Sequence, residues 1–111
     1  MSGTQTISYK YASMVAAGNM TATITSSAVD LQDLNIYAIQ AVYTGSPVGT
    51  LKLQVSVDGT NYDDYTGSSL AVSAAGSNTW KVSAAGERYV RLVYTFSSGS
   101  GTLDVSLSGK G

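Results

Sequence analysis

The chain has 111 residues and a formal net charge of −1, from six basic and seven acidic side chains. This length fits one domain, and so few dispersed cations exclude a basic surface for nucleic acid or an anionic membrane. Cysteine and histidine are both absent, which excludes disulfides, thiolate or imidazole metal sites and the usual general base.

The N-terminal sequence MSGTQTISYKY lacks the apolar core of a signal peptide, and the chain contains no apolar run long enough for a membrane span. We therefore expect synthesis in the cytoplasm without a leader. Residues 1–6 are polar and unpatterned, which predicts a flexible arm ahead of a single domain over residues 7–111. Residues 5–12 alternate in polarity, with Tyr9 and Tyr11 on an aromatic face, and predict the first strand.

The next segments predict short strands separated by breaks. Residues 13–18 are too short for an independent helix and are interpreted as a connection, followed by strands at 20–25 and 28–31. Residues 35–43 are apolar on both faces, with Tyr37 and Tyr43 on one and Ile36 on the other. This pattern indicates a central strand or one buried at a subunit contact.

Residues 49–65, GTLKLQVSVDGTNYDDY, carry the clearest local signal in the chain. Leucines and valines alternate with polar residues up to Val57, and Asp58-Gly59 then supplies residues that tolerate the backbone of a tight turn. We expect a strand with one buried face, hairpinned to residues 62–65. The only proline, Pro47, lies in a break at 45–47, outside every predicted strand.

The C-terminal half also shows short predicted strands separated by turns. Strands at 70–73 and 79–82 flank a turn at 74–78, and a strand at 88–96 is expected to pair with one at 102–108 across residues 97–101. About eight to ten short strands at regular spacing are typical of a sandwich or barrel. The sequence therefore predicts an all-β fold, an antiparallel β-sandwich of jelly-roll type.

Several segments carry a resemblance to a known group of proteins. Residues 37–65 (YAIQAVYTGSPVGTLKLQVSVDGTNYDDY), Trp80, the RYVRLVYT segment and the closing SGSGTLDVSLSGKG resemble small bacteriophage virion proteins of the capsid decoration, head fibre or tail accessory type. Those proteins have an IQAVxTG…GTLKLQxSxDGxNW pattern, in which Tyr62 here replaces the usual tryptophan. The resemblance covers about two-thirds of the chain and implies a structural protein of the virion.

A second resemblance is looser. The segment SVDGTNY, followed about 25 residues later by RYVRL, is similar to part of the discoidin-type domains that bind carbohydrate or lipid. It implies the alternative function, a carbohydrate- or host-surface-binding module of a phage tail or fibre.

Aromatic and apolar residues on the predicted strands are the candidates for contacts with other subunits. Tyrosine offers a large contact area at low entropic cost, and eight of the ten aromatic residues are tyrosines. We expect a homo-oligomer, most simply a trimer, that docks on the major capsid protein or another virion protein. The candidate contact residues are Tyr9, Tyr11, Ile36, Tyr37, Tyr43, Tyr89 and Arg91.

Other interpretations concern small ligands. Tyr62, Tyr65 and Trp80 form a candidate platform for a glycan, with loops 45–49, 58–64 and 97–101 beside it. The acids at 58–64 do not fit an EF-hand, which favours a turn with solvated acids over a Ca²⁺ site. Without histidine or cysteine, the serines have no conventional base. We expect no enzyme activity, no cofactor and no metal, and location in the virion.

Overall fold

The computed structural model describes residues 9–31, 34–83 and 87–110. The predicted N-terminal arm lies outside these residues. The described residues form strands and turns and contain no helix. None of them therefore belongs to a helix that is long and apolar enough to cross a membrane. The eight strands are β1 (Tyr9–Asn19), β2 (Ile24–Thr25), β3 (Val29–Asp30), β4 (Ile36–Ser56), β5 (Asp63–Asp64), β6 (Leu70–Val72), β7 (Gly76–Ser83) and β8 (Tyr89–Lys110).

Two long strands form the centre of the fold. β4 has 21 residues and β8 has 22, and they pair antiparallel along their whole length, from Ile36 opposite Lys110 to Ser56 opposite Tyr89. The predicted hairpin between residues 88–96 and 102–108 is therefore wrong. Those segments are successive halves of one strand, and both have β4 as their partner.

Shorter strands flank each half of this central pair. We call sheet 1 the layer formed by residues 36–43 of β4, residues 102–110 of β8, β1 and β7. Sheet 2 contains the other halves of β4 and β8 with β2, β3, β5 and β6. Both sheets are antiparallel throughout.

Contacts between distant strand ends show that the two sheets fold over each other. Lys10 in sheet 1 donates from Nζ to the Asp30 carbonyl oxygen in sheet 2 at 2.8 Å. Trp80 in sheet 1 likewise donates from Nε1 to the Ser68 carbonyl oxygen at 2.9 Å. The predicted all-β antiparallel sandwich is thus confirmed, with two long strands instead of only short ones; the jelly-roll type stays a prediction.

The fold turns where β4 and β8 have no flanking strands. Residues 45–48 pair with residues 98–101 there, between the last partners of β1 and β7 and the first partners of β2 and β6. We call this two-stranded segment the bend. Pro47 lies inside β4 in the bend, contrary to the prediction, and an unpaired strand edge accommodates its missing N–H. Gly45 and Gly99 both have positive φ there, 85° and 81°.

A bulge beside the bend keeps both halves of β8 facing the core. Val48 pairs with Ser98 and Gly49 with Phe96, so Ser97 is an extra residue in β8. Side chains alternate along a strand, and one inserted residue reverses the alternation. Consequently Leu92, at an even position, and Leu103, at an odd one, are both fully buried.

The flanking strands correct two further predictions. Residues 13–18 are not a connection, because β1 runs through them with register shifts on both sides of Val15. The strands β6 and β7 do not form a hairpin with each other, because both pair with β4 along one edge. The hairpin from residue 49 to 65 is confirmed: Gln54 pairs with Asp64, and Gly59 has φ of 79° in a six-residue connection.

The core lies between the two sheets. Its largest fully buried side chains include Tyr94, Ile39, Leu53 and Leu107. Every other residue of β4 points into this layer, which leaves the alternate positions of sheet 1 and sheet 2 on two outer faces. Among the candidate functional residues, these outer faces carry Tyr11, Ile36, Tyr62 and Arg91.

Candidate functional site

The outer face of sheet 1 exposes apolar side chains on two of its strands. Tyr11 of β1 is 73% exposed, and Ile36 and Val42 of β4 are 42% and 41% exposed. The Tyr11 hydroxyl lies 3.1 Å from Oγ of Ser106, which holds the ring along the sheet. Small polar residues of β8 separate these side chains.

A shallow depression of about 240 Å³ lies at one end of this face. Ile36 and Ala38 form part of its lining. Lys110 stands opposite Ile36 in the sheet, and Lys81 stands opposite Ala38 on the other side. Neither lysine forms a salt bridge within the described part of the chain, so the depression is apolar with two unpaired cations at its margins.

The structure removes two tyrosines from the candidate contact set. Tyr37 and Tyr43 are only 1% and 8% exposed, because odd-numbered positions of β4 point into the core. Their side chains cannot touch another subunit. The two-sided apolar pattern of this strand therefore reflects one core face and one exposed face. Tyr9 lies opposite Lys110 at the start of β1.

The outer face of sheet 2 carries a polar array that we call the Tyr62 array: Lys52, Gln54, Tyr62, Asp64 and Arg91. The Arg91 guanidinium lies 3.9 Å from the centre of the Tyr62 ring, and its Nε donates to Oε1 of Gln54 at 2.9 Å. Gln54 and Lys52 both donate to the Asp64 carboxylate, at 3.0 and 3.2 Å. These bonds hold the pKa of Asp64 below its usual value.

Tyr89, another candidate contact residue, lies beside this array. The Arg88 guanidinium lies 5.3 Å from the centre of its ring, and Arg88 also forms a salt bridge of 3.2 Å with Asp30. The bond to Asp30 raises the pKa of Arg88. Arg88 is thus paired within its own chain, and Tyr89 is half-buried.

The three residues of the predicted glycan platform do not form one surface. Tyr65 and Trp80 pack against the core, and the Trp80 indole N–H is occupied by the Ser68 carbonyl. Tyr62 instead stacks with Arg91 on the outer face of sheet 2. Only Tyr62 is placed to meet a ligand there, and it does so with polar neighbours rather than with Trp80.

The three predicted binding loops are also separated. Residues 45–49 and 97–101 meet in the bend, as partner segments of β4 and β8. Residues 58–64 follow the far end of β4, and the strand from Gly49 to Ser56 separates the two ends by about 20 Å. A single ligand of ordinary size cannot touch all three segments.

The loop after β4 is organised around Asp58. Its carboxylate accepts hydrogen bonds from the backbone N–H groups of Asn61 and Thr60, from the Asn61 amide and from the Ser56 hydroxyl, all between 2.8 and 2.9 Å. These bonds, with those from Asn61 and Thr60 foremost, hold the pKa of Asp58 well below its usual value. Across the described residues, no three His, Cys, Asp or Glu side chains are grouped to hold a metal ion.

Three important positions were missed in the sequence. Gln54, which links Arg91 to Asp64, was only an outward position of a predicted strand. Glu87 and Ser68 bond to Tyr37 and to the backbone of Leu53, far away in sequence. The outward alternation of residues 52–56 could have identified Gln54; no local signal identifies the other two.

Comparison with known proteins identifies the fold without a family. No protein-family model matches the sequence, and no curated protein matches it. The SPBc2 prophage-derived protein YomS matches with a TM-score of 0.67 and 13% identity over 97% of both chains. The PBSX exported protein XepA matches with a TM-score of 0.59 and 13% identity, over 94% of this chain and 36% of its own.

A third solved structure is that of Bacillus endospore appendages, described as a family of disulfide-linked pili. It matches with a TM-score of 0.53 and 15% identity, over 98% of this chain and 92% of its own. This chain has no cysteine, so it cannot form such a link. At these identities the three matches establish a shared fold.

Proposed function

We propose that this protein is a non-enzymatic structural component of a phage particle. It acts as a capsid decoration or auxiliary protein that oligomerises, as a trimer, and docks on the major capsid protein or another virion protein. The observation that carries this proposal is the exposed apolar outer face of sheet 1, with Tyr11 73% and Val42 41% exposed. The fold shared with a prophage-derived protein over 97% of both chains supports the viral setting.

The physical driving force is burial of that face. Apolar surface removed from water contributes about 25 cal/mol per Å², before the entropic cost of association. A face with tyrosine and branched aliphatic side chains matches the composition of protein interfaces. Contacts between copies and with a shell would bury this apolar surface.

Binding to particles tests this proposal. Purified protein is mixed with phage shells that lack it, and the shells are sedimented. We expect stoichiometric co-sedimentation of the wild type and a loss of at least about tenfold in affinity for Val42→Lys, because a buried lysine must be desolvated. Val48→Lys is the matched control, since Val48 is 36% exposed but lies in the bend. Failure of the wild type to bind contradicts the proposal.

The Tyr62 array favours a second candidate function, a carbohydrate- or host-surface-binding module of a phage tail or fibre. Mutual contacts hold four groups of the array on one exposed face: the Tyr62 ring, the Arg91 guanidinium, the Gln54 amide and the Asp64 carboxylate. Aromatic rings with adjacent planar polar groups suit sugar rings and their hydroxyls. Saturable binding on a glycan array that disappears with Tyr62→Ala, and persists with Tyr11→Ala, supports this candidate. A glycan array without any signal contradicts it.

A further inference from the structure

Two surfaces on this chain are opposite in charge and both expose an apolar side chain. The first is the depression on the outer face of sheet 1, where Lys81 and Lys110 flank Ile36 and Ala38. The second is the loop after β4, which we call the tip: residues 57–61 with Asp63 beside them. Val57 of the tip is 76% exposed, the highest value among the large apolar side chains described.

The tip is acidic and rigid. Asp58 and Asp63 form no salt bridge within the described residues, and Asp58 accepts hydrogen bonds from the loop itself. Those bonds fix the backbone on which Val57 stands. A loop held in its bound shape loses little conformational entropy on association. The tip therefore presents an apolar side chain together with negative charges.

The depression has the opposite character. Its centre is apolar, with Ile36 42% exposed, and its margins carry Lys81 and Lys110 without an ionic partner in the described chain. A volume of about 240 Å³ accommodates a valine side chain and part of its neighbours. The cations lie where they can face the carboxylates beside an inserted Val57.

The depression and the tip share no residue within one molecule. The depression opens on the outer face of sheet 1, and the tip follows the last residue of β4 in sheet 2. The charge complementarity therefore points to a second copy of the chain. We propose that the tip of one copy inserts Val57 into the depression of the next, with Asp58 and Asp63 facing Lys81 and Lys110.

After one such contact, one copy keeps a free depression and the other keeps a free tip. These remaining sites pair across a twofold axis or close a head-to-tail ring when the rotation between copies allows it, and the proposed trimer is such a ring. The inference rests on the proposed self-association and names the surfaces that produce it. One tip buries little area, so the isolated contact is weak and ring closure strengthens it.

Two complementary variants test the inference. Val57→Lys spoils the tip and leaves the depression intact; Lys81→Gln with Lys110→Gln spoils the depression and leaves the tip intact. Each variant alone should remain monomeric in sedimentation velocity up to about 1 mM, where the wild type associates. An equimolar mixture should form one-to-one dimers at about 1 mM, more weakly than the wild type, because one tip and one depression remain functional without ring closure.

Matched controls separate this contact from general effects of charge or folding. Two control variants should associate like the wild type: Val48→Lys, in the bend, and Lys52→Gln, on the outer face of sheet 2. The thermal midpoint of every variant should stay within a few degrees of the wild-type value. The inference is overturned if Val57→Lys associates as strongly as the wild type. It is also overturned if the equimolar mixture of the two variants stays monomeric. If Val57→Lys loses only shell binding, the tip contacts the shell and the inference is wrong, whereas the proposed function stands.

Discussion

The Tyr37 hydroxyl donates a hydrogen bond of 2.6 Å to Oε1 of Glu87, which lies 50 residues further along the chain. Tyr37 belongs to sheet 1, and Glu87 lies just before the half of β8 that forms sheet 2. Burial raises the pKa of Tyr37, and the bond to Glu87 raises it further. The hydroxyl therefore stays a donor across the physiological range and links the free ends of the two sheets.

Replacing this tyrosine should loosen the junction between the sheets. Tyr37→Phe leaves the ring in the core but removes the donor, and we expect a loss of about 1 to 2 kcal/mol of unfolding free energy. Urea denaturation measures it. Tyr11→Phe is the control, because Tyr11 is exposed and its loss should stay below about 0.5 kcal/mol. If Tyr37→Phe lowers the unfolding free energy no more than Tyr11→Phe does, the bond to Glu87 contributes nothing to stability.

The bend should depend on glycine for two separable reasons. A Cβ on Gly99 would meet the Ser46 carbonyl oxygen well inside van der Waals contact, whereas one on Gly67 would meet nothing within 4 Å, although both have positive φ. Gly67→Ala should therefore lose only about 1 to 2 kcal/mol from backbone strain. Gly99→Ala should lose about 1 to 3 kcal/mol more from overpacking. Thermal unfolding that ranks the two equally would contradict this account of the bend.

Trp80 should prove structural. Trp80→Ala removes packing against the core and the bond to Ser68, and we expect a loss of about 2 to 4 kcal/mol. Trp80→Phe keeps much of the packing but removes the N–H donor, so its loss should be about 1 kcal/mol. Chemical denaturation distinguishes the two. A stable Trp80→Ala protein would instead return Trp80 to the candidate binding residues.

Acid should destabilise the tip through Asp58. Its folded pKa lies below its unfolded value of about 3.9, so the ionised carboxylate stabilises the fold above that pH. This contribution starts to decline when pH drops below the unfolded value and is lost completely once pH is below the folded pKa. Between about pH 6 and pH 3, the thermal midpoint of the wild type should therefore fall further than that of Asp58→Asn. Parallel curves for the two proteins would show that the Asp58 bonds do not contribute to stability.

Local pattern predicted most strand positions but not their pairing. The alternation of residues 88–96 and 102–108 marked the correct inward side chains, including Leu92 and Leu103. The inward residues have even numbers in the first segment and odd numbers in the second. This change was compatible with a hairpin, yet it arises from the bulge at Ser97 in one continuous strand. Periodicity reports which face a residue occupies; it contains no information about the partner strand.

The candidate contact residues show the same division. Tyr11 and Ile36 are exposed, and their role in a contact stays a prediction, whereas Tyr37 and Tyr43 were also placed on a contact surface and lie in the core. A strand that is apolar on both sides does not reveal which side faces its own core. That choice depends on which face the opposite sheet covers.

The amino-acid sequence by itself determined the strand periodicity, the turn at Asp58-Gly59 and the absence of cysteine and histidine chemistry, because each depends on a residue type or on local backbone preference. Only the tertiary structure decided that β4 and β8 pair throughout and fold at the bend. Folding brings Tyr37 to Glu87 and places lysines and acids on separate surfaces. Such relationships join residues far apart in sequence, where the energy of a contact depends on packing that local patterns do not encode.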